Sequence, residues 1–374
     1  MRNYKFRIYP SKTQEMQMKE HLWIEKNLWN TLLEANQKKY DEEKKFLTRN
    51  EMQKMVKDTG LFSQVAQTLS HRLQKALWRM VKLRKQGKEC GYPRFKNIDR
   101  MKSLNYPQAG FKLDKKLKVT PFGEISIKQH RKIEGNIKTL TLKKEPSGKW
   151  FAIFCAETMP QTPKINIGEA VGLDLGLMNL ATLSNGEIIK NPHQFKKLEN
   201  KLAKVQRDLS KKHKKSHNKN KAKLKVATIH EKIANTRLDY LHKQANSLLS
   251  RYSLIAMEKL NITNMSRQSH SKNINDASWG IFTNILCYKA EEAGSKIVFV
   301  NPKDTTKMCS NCGTKTDKHL WERTHNCPSC GLSIDRDLNA SINILIRATA
   351  GQAGSNACRD ETIVSSVKQE AHIL

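Results

Sequence analysis

The sequence predicts an α+β protein of several domains. Strand-like alternation near the N-terminus and again from residue 125 brackets a long helical stretch. A second group of short strands begins at residue 171, and two Cys-x-x-Cys pairs lie toward the C-terminal end. With 374 residues the chain has material for two or three domains with real cores.

In the first strand Tyr4, Phe6 and Ile8 alternate with basic or polar neighbours, and Pro10 ends it. Ser11 followed by Gln14 forms a capping box that opens a helix. Helical pattern then runs to about residue 85, clearest at Leu69, Leu73, Ala76, Met80 and Leu83. Arg72, Lys75, Arg79 and Lys82 make a second, basic stripe on that helix, about 100° round from the apolar one. Such stripes are commonly just solvated, but Arg84, Lys85, Lys88, Arg94 and Lys96 extend this one, which favours contact with a polyanion. From Ile125 to Glu157 the period becomes two, with Pro146-Ser147-Gly148 turning Leu140 and Leu142 into the run from Trp150 to Phe154. The first strand joins this sheet, leaving the helices between as an insertion.

The next unit opens with Val171-Gly172-Leu173-Asp174-Leu175-Gly176, then Leu180 to Leu183, an Asn185-Gly186 turn and Ile188-Ile189, which read as successive antiparallel strands. Phe195, Leu198, Leu202, Val205 and Leu209 start a helical hairpin that resumes at Ile229 and runs past Leu248. Its tip, between Lys211 and Lys225, is dense with lysine, including Lys211, Lys212, Lys214 and Lys215. A plain charged loop would look the same, but a place between two strands bearing acids favours a grip on a phosphate backbone. Ser253 to Glu258 is a further strand. A polar loop from Asn261 to Asn275 leads to a helix from about Ser278 to Ala293, and Ile297 to Val300 is another strand. The last helix spans about Asp337 to Arg347, and residues 349–374 are small, polar and aperiodic, as in a disordered tail.

The charge balance, 68 Lys+Arg against 35 Asp+Glu for a formal net charge of +33, opposes compaction unless a polyanion compensates it. No run of about 18 apolar residues exists to span a membrane, and MRNYKFRIYP lacks the apolar core of a signal peptide. Of eight cysteines, Cys90, Cys155, Cys287 and Cys358 are scattered, which fits a reducing cytoplasm better than a disulfide framework.

Cys309-x2-Cys312-x14-Cys327-x2-Cys330 is the most specific local signal. A glycine follows each second cysteine and permits the tight turn of a thiolate knuckle. Four thiolates close a tetrahedron, so the expected ion is a structural Zn²⁺, with an iron-sulfur cluster as the alternative. Three acids point to chemistry. Asp174 lies mid-strand in an apolar run and Glu258 ends another apolar strand, where an unpaired carboxylate is costly. Asp337 opens the last helix, whose N-terminus favours an anion. Each alone reads as an edge-of-sheet acid or a helix cap. Together they suggest a cage for Mg²⁺ or Mn²⁺ that allows two-metal phosphodiester cleavage on an RNase H-like (RuvC-type) sheet. Asp335 is the rival for the third position. The chain has no His-hydrophobic-His pair for single-strand transposase chemistry and no GxxxxGK[ST] for ATP-driven remodelling.

Strand-Asp, strand-Glu, zinc ribbon and DRDLNAS in that order resemble the TnpB (OrfB) family of IS200/IS605-type insertion sequences, relatives of type V CRISPR effectors. RNYKFRIYPSKTQ, GYPRFK at 91–96, AMEKLNITNM and DASWGIF at 276–282 carry the same resemblance. It implies an RNA-guided DNA endonuclease. Such a protein binds a noncoding guide RNA from the transposon end and recognises an adjacent motif in double-stranded DNA. It then cuts both strands with one RuvC site, as a monomer in the ribonucleoprotein. The resemblance also implies a β-barrel wedge domain (1–10 and 101–160), an inserted helical recognition lobe (11–100), a RuvC-like nuclease domain (168–304 and 331–348) and a zinc ribbon (305–330). The loop from Asn261 would be a lid. Motif reading would involve Arg49, Asn50, Gln64 and Gln67, the amides being suited to adenine edges. The rival functions are an RNA-guided repressor that does not cut and a guide-independent RuvC-type nuclease or resolvase.

Overall fold

The computed structural model describes residues 1–158, 165–191, 194–261, 278–319 and 321–350. The loop beyond Asn261 and the tail beyond Ala350 lie outside the described residues. The chain forms two compact units, Met1–Pro160 and Gln161–Leu374.

In the first unit, period-two alternation builds a seven-stranded, barrel-like antiparallel sheet. Its strands are β1 (Arg2–Tyr9), β2 (Ser103–Tyr106), β3 (Phe111–Leu113), β4 (Leu117–Val119), β5 (Gly123–Lys128), β6 (Asn136–Lys144) and β7 (Trp150–Glu157). They lie in the order β2-β6-β7-β1-β5-β4-β3. As expected, β1 joins the sheet, with Phe6 opposite Ala152 and Ile8 opposite Trp150. Three short strands between 103 and 119 gave no legible alternation, because three or four residues are too few to show a period.

Between β1 and β2 lie α1 (Lys12–Glu43), α2 (Arg49–Met55) and α3 (Ser63–Lys85). The Ser11/Gln14 capping box is formed in full, and Thr48 with Glu51 repeats it at α2. Leu22, Trp29 and Leu33 of α1, Leu69, Leu73 and Met80 of α3, and the inner face of the sheet share one core. Within it sits Glu25, 1% exposed, with one oxygen 2.8 Å from Nη1 of Arg72. Burial pushes its carboxyl up to about 7 against the pull of Arg72 and Lys96.

The second unit is built on a mixed sheet of β8 (Glu169–Leu175), β9 (Asn179–Leu183), β10 (Ile188–Lys190), β11 (Tyr252–Glu258) and β12 (Lys296–Val300), in the order β10-β9-β8-β11-β12. The first three strands form the expected antiparallel meander; β11 runs parallel to β8, and β12 parallel to β11. Alternation sends Val171, Leu173, Ile255, Met257, Ile297 and Phe299 to one face. There they pack against α5 (His217–Arg251) and α6 (Trp279–Ala293). α4 (Gln194–Ser210) and α5 form the helical hairpin, with the exposed lysines at its turn.

The opposite face presents Gly172, Ala256, Val298 and Val300 to α7 (Arg336–Thr349). A Cβ added at Gly172 would stand 2.0 Å from the Ser341 carbonyl oxygen and 2.9 Å from the Leu345 nitrogen. The α7 backbone therefore rides directly on the sheet, and neither contact can yield as a flexible side chain would. Gly172→Ala is expected to destabilise the second unit by about 1–3 kcal/mol. Thermal melting checks this, and an unchanged midpoint would contradict the close approach.

Candidate active site

The same face that admits α7 carries the acids. In the parallel pairing, Ala256 lies opposite Gly172 and Met257 opposite Leu173. One residue further along each strand stand Glu258 and Asp174, on the α7 side of the sheet. The third acid comes from α7. Asp335 is its N-cap, with Oδ1 accepting from the Asp337 and Leu338 N–H groups at 2.9 and 3.0 Å. That use of Asp335 leaves Asp337, in the first turn, as the side chain free of capping.

The electrostatics tie the three together. Burial pushes the Asp174 carboxyl well above its ordinary range, and the charges of Glu258 and Asp337 push it further, with Arg336 pulling the other way. Burial also raises Glu258, against a hydrogen bond from the Thr305 hydroxyl and the charge of Arg347. Asp337 Oδ1 accepts from Nε and Nη2 of Arg336 at 3.3 Å, and its Oδ2 lies 3.5 Å from Nη1 of Arg323. Among the described residues, only the four cysteines form a group of three or more potential ligands with all donor atoms within 4.8 Å of one another. The carboxylates are thus neighbours and not a closed cage: Glu258 leans on Thr305 and Asp337 on Arg336 and Arg323, while Asp174 shares the charge of Arg336. Their donor set is all oxygen, over-supplied with negative charge, and fits a hard divalent cation such as Mg²⁺ or Mn²⁺.

Several residues that hold this arrangement have partners that no motif names, although Asn339 falls within the DRDLNAS run. Asn343 Nδ2 donates to the carbonyls of Thr305 and Met308 at 2.9 and 2.7 Å. Asn339, one turn earlier, donates to Met308 O at 2.8 Å and accepts from the Ser310 N–H at 2.9 Å. These two buried amides fasten α7 to the segment that carries Thr305 to Glu258 and leads into the cysteine ribbon. The only hint was polar side chains spaced i, i+4 on the inner face of an amphipathic helix.

In the ribbon, Sγ of Cys309 lies 3.6 Å from that of Cys330, and Sγ of Cys312 lies 3.5 Å from that of Cys327. The two knuckles match. Gly313 and Gly331 take φ of 75° and 73°, each donating to the carbonyl of the first cysteine of its pair. β13 (Thr324–Asn326) pairs with β14 (Ser333–Asp335), so the ribbon hairpin runs past the second knuckle straight into the α7 cap.

The sequence-derived basic and amide candidates are spread over both units. Lys211, Lys212, Lys214 and Lys215 are exposed at the α4–α5 turn, and Lys75, Arg79 and Lys82 are exposed on α3. Arg72, by contrast, commits one guanidinium nitrogen to buried Glu25. Arg49, Asn50 and Gln67 are exposed, Arg49 donating from Nε to Nε2 of His71 at 2.7 Å. Asn50 and Gln67 line a cavity of about 620 Å³ between α2 and the start of α3. Gln64 instead gives its carbonyl to the Ala109 and Gln108 N–H groups at 2.8 and 3.3 Å, which bridges α3 to the sheet.

Because the native state raises the Asp174 pKa, it binds more protons than the unfolded chain above the ordinary carboxylate range. Stability is then lost as pH rises through that window. In metal-free protein Asp174→Asn should raise Tm by a few degrees at neutral pH, with the gain vanishing in acid, where the wild-type carboxyl is protonated. Added Mg²⁺ should raise the wild-type Tm more than that of the variant. Melting curves across pH decide it, and a variant less stable than wild type at neutral pH would refute the strained cluster.

Family models match three segments. Residues 153–269 match OrfB_IS605, described as "Probable transposase", and residues 279–344 match the Cas12f1-like TNB domain. Residues 1–45 match a helix-turn-helix model of the OrfB group, although here they fold as one strand and one unbroken helix of 32 residues. A Streptomyces pristinaespiralis protein assigned as an RNA-guided DNA endonuclease is 30% identical, over 99% of this chain and 96% of its own. An Escherichia coli protein assigned as the RNA-guided DNA endonuclease InsQ is 28% identical over 91% of each chain. The fold is similar to that of Cas12f1 in a Cas12f1–sgRNA–target DNA complex, with a TM-score of 0.58 at 16% identity, over 92% of this chain and 84% of that one. With a relative of that identity aligned over nearly its whole length, the chain belongs to the TnpB (OrfB) family of IS605-type elements.

Proposed function

We propose that this protein is an RNA-guided DNA endonuclease that cuts double-stranded target DNA at Asp174, Glu258 and Asp337. The observation that carries the reading is the convergence of three carboxylates where α7 meets one face of a mixed sheet, with Asp174 buried beside the charges of Glu258 and Asp337. A meander followed by two parallel strands, in the order 3-2-1-4-5, is the arrangement expected of an RNase H-like (RuvC-type) nuclease. The guide RNA is carried over from relatives assigned as RNA-guided endonucleases, and a net charge of +33 supplies the attraction that both nucleic acids need.

In this reading the three carboxylates hold Mg²⁺ or Mn²⁺, which when bound assists the attacking water and the leaving oxygen of in-line displacement. Thr305 orients Glu258 through its hydroxyl, while Arg336 and Arg323 hold Asp337 until the cation competes for it. The four cysteines hold a structural Zn²⁺, since all four positions of the tetrahedron are filled by thiolates. Residues 1–10 and 101–160 act as the wedge, 11–100 as the recognition lobe, 168–304 and 331–348 as the nuclease, and 305–330 as the ribbon. The exposed Arg49, Asn50 and Gln67 are the motif-reading candidates, and Arg72 serves the fold through Glu25. No helix among the described residues is long and apolar enough to cross a membrane.

Purified protein should carry a discrete RNA whose 3′ end matches the cleaved target. Asp174→Ala should reduce cutting at least about a thousandfold, the scale of a lost metal ligand at the reacting centre, while target binding stays within about twofold. Equal cutting by RNA-free protein would refute guidance. Persistent binding of wild type without cut products in Mg²⁺ or Mn²⁺ would favour a repressor. Elemental analysis should find one zinc per chain, lost in Cys312→Ser together with protease resistance between residues 305 and 335. Retention of zinc by that variant would overturn the four-thiolate site.

A further inference from the structure

Between the two cysteine pairs of the ribbon, His319 and Glu322 close a turn. The His319 N–H donates to Oε1 of Glu322 at 3.3 Å, and the Glu322 N–H returns to the His319 carbonyl at 3.2 Å. The turn sets the His319 imidazole and the Trp321 indole face to face, with centroids 4.2 Å apart and planes within 5°. Trp321 is nevertheless 74% exposed. A tryptophan with one face already covered and that much surface left presents its other face to water, open to a further stacking partner.

The turn is also fixed to the carboxylate site. The Glu322 carbonyl accepts from Nη1 of Arg336 at 3.2 Å, and the Arg336 N–H donates to the Arg323 carbonyl at 2.7 Å. Arg323 in turn places Nη1 3.5 Å from Asp337. Trp321 therefore stands two residues along the chain, and His319 four, from the guanidinium that meets the third acid.

We propose that the His319–Trp321 pair is a stacking platform for one unpaired nucleobase of the strand that lies across the carboxylates. This rests on the nucleic-acid-cleaving reading of that site. Every base has a π-face that an exposed indole can take without regard to sequence, and the pre-stacked imidazole holds the ring in place before the base arrives. Arg323, 55% exposed, lies beside the platform to meet a phosphate. The Glu322 carboxylate is turned back onto the His319 N–H, and among the described residues the chain neighbours Lys318, Glu322 and Arg323 are charged. Such surroundings suit a base on a phosphate backbone better than an apolar protein surface.

The test measures affinity of the full chain, in the Asp174→Ala background, for a short single-stranded oligothymidylate and for its all-abasic counterpart. The preference for the base-bearing strand should fall about tenfold in Trp321→Ala, the scale of one lost base–aromatic stack, and be kept in Trp321→Phe. Wild type needs no folding control: if it binds both strands equally, the platform is refuted. Equal preference in Trp321→Ala and wild type also refutes it, as does an equal loss for both strands, which would mark a backbone or folding effect. The readout needs no cutting. An inactive protein that keeps the Trp321-dependent preference would sink the nuclease and spare the platform, and an active protein without that preference would do the reverse.

Discussion

The second unit depends on one close approach, the backbone of α7 against Gly172. With no side chain at Gly172 and only a methyl at Ala256, the helix settles onto the sheet at van der Waals distance. Three consequences follow from that contact. Asp337 arrives beside the strand-borne Asp174. Asn339 and Asn343 come within reach of the segment between β12 and the ribbon, and the ribbon hairpin is delivered to the N-cap of the same helix. Separating α7 from the sheet would dismantle the acid cluster, the Thr305 contact and the ribbon anchor together.

The energetics of the acid cluster run against stability. Asp174 is buried among like charges, and its cationic counterweight among the described residues, Arg336, is shared with Asp337. A structure tolerates such a group where the surrounding contacts over-determine it, which the Gly172 contact and the two asparagine clamps do. The buried Glu25 of the first unit is the contrasting case. It also has a raised carboxyl, but it faces Arg72 and Lys96 of its own unit, with Lys96 lying 3.5 Å over the Trp29 ring. Opposite charges ring Glu25, as in a structural pair, whereas like charges surround Asp174, which is the environment the proposed cation would relieve.

Much was legible from short-range pattern. Ser11 and Gln14 announced the start of α1 because a capping box is local chemistry. Asp174 and Glu258 stood out because a carboxylate in an apolar strand is costly wherever the strand goes. The matched Cys-x-x-Cys-Gly knuckles required no tertiary knowledge at all. The basic stripe on α3 was visible as a stripe, but its members differ in fate. Lys75, Arg79 and Lys82 remain exposed, while Arg72, also within the helical period, turns to a glutamate 47 residues away. Gln64 is similar, since the backbone that claims its carbonyl lies 45 residues on.

By itself the sequence determined the longer helices and strands and their faces, the four-cysteine ribbon and the two strand-borne acids. All of these follow from periodicities and costs that act within a few residues. Only the tertiary structure shows that Asp335 is spent on the α7 cap while Asp337 stands in the first turn free of that task, which is the ground for proposing Asp337. It alone placed Thr305 on Glu258, withdrew Arg72 and Gln64 into the fold, and stacked His319 on Trp321 two residues before the arginine that meets Asp337. The physical reason is the same in each case. Which partner a polar side chain finds depends on how elements far apart in the chain are packed, and no local pattern encodes that.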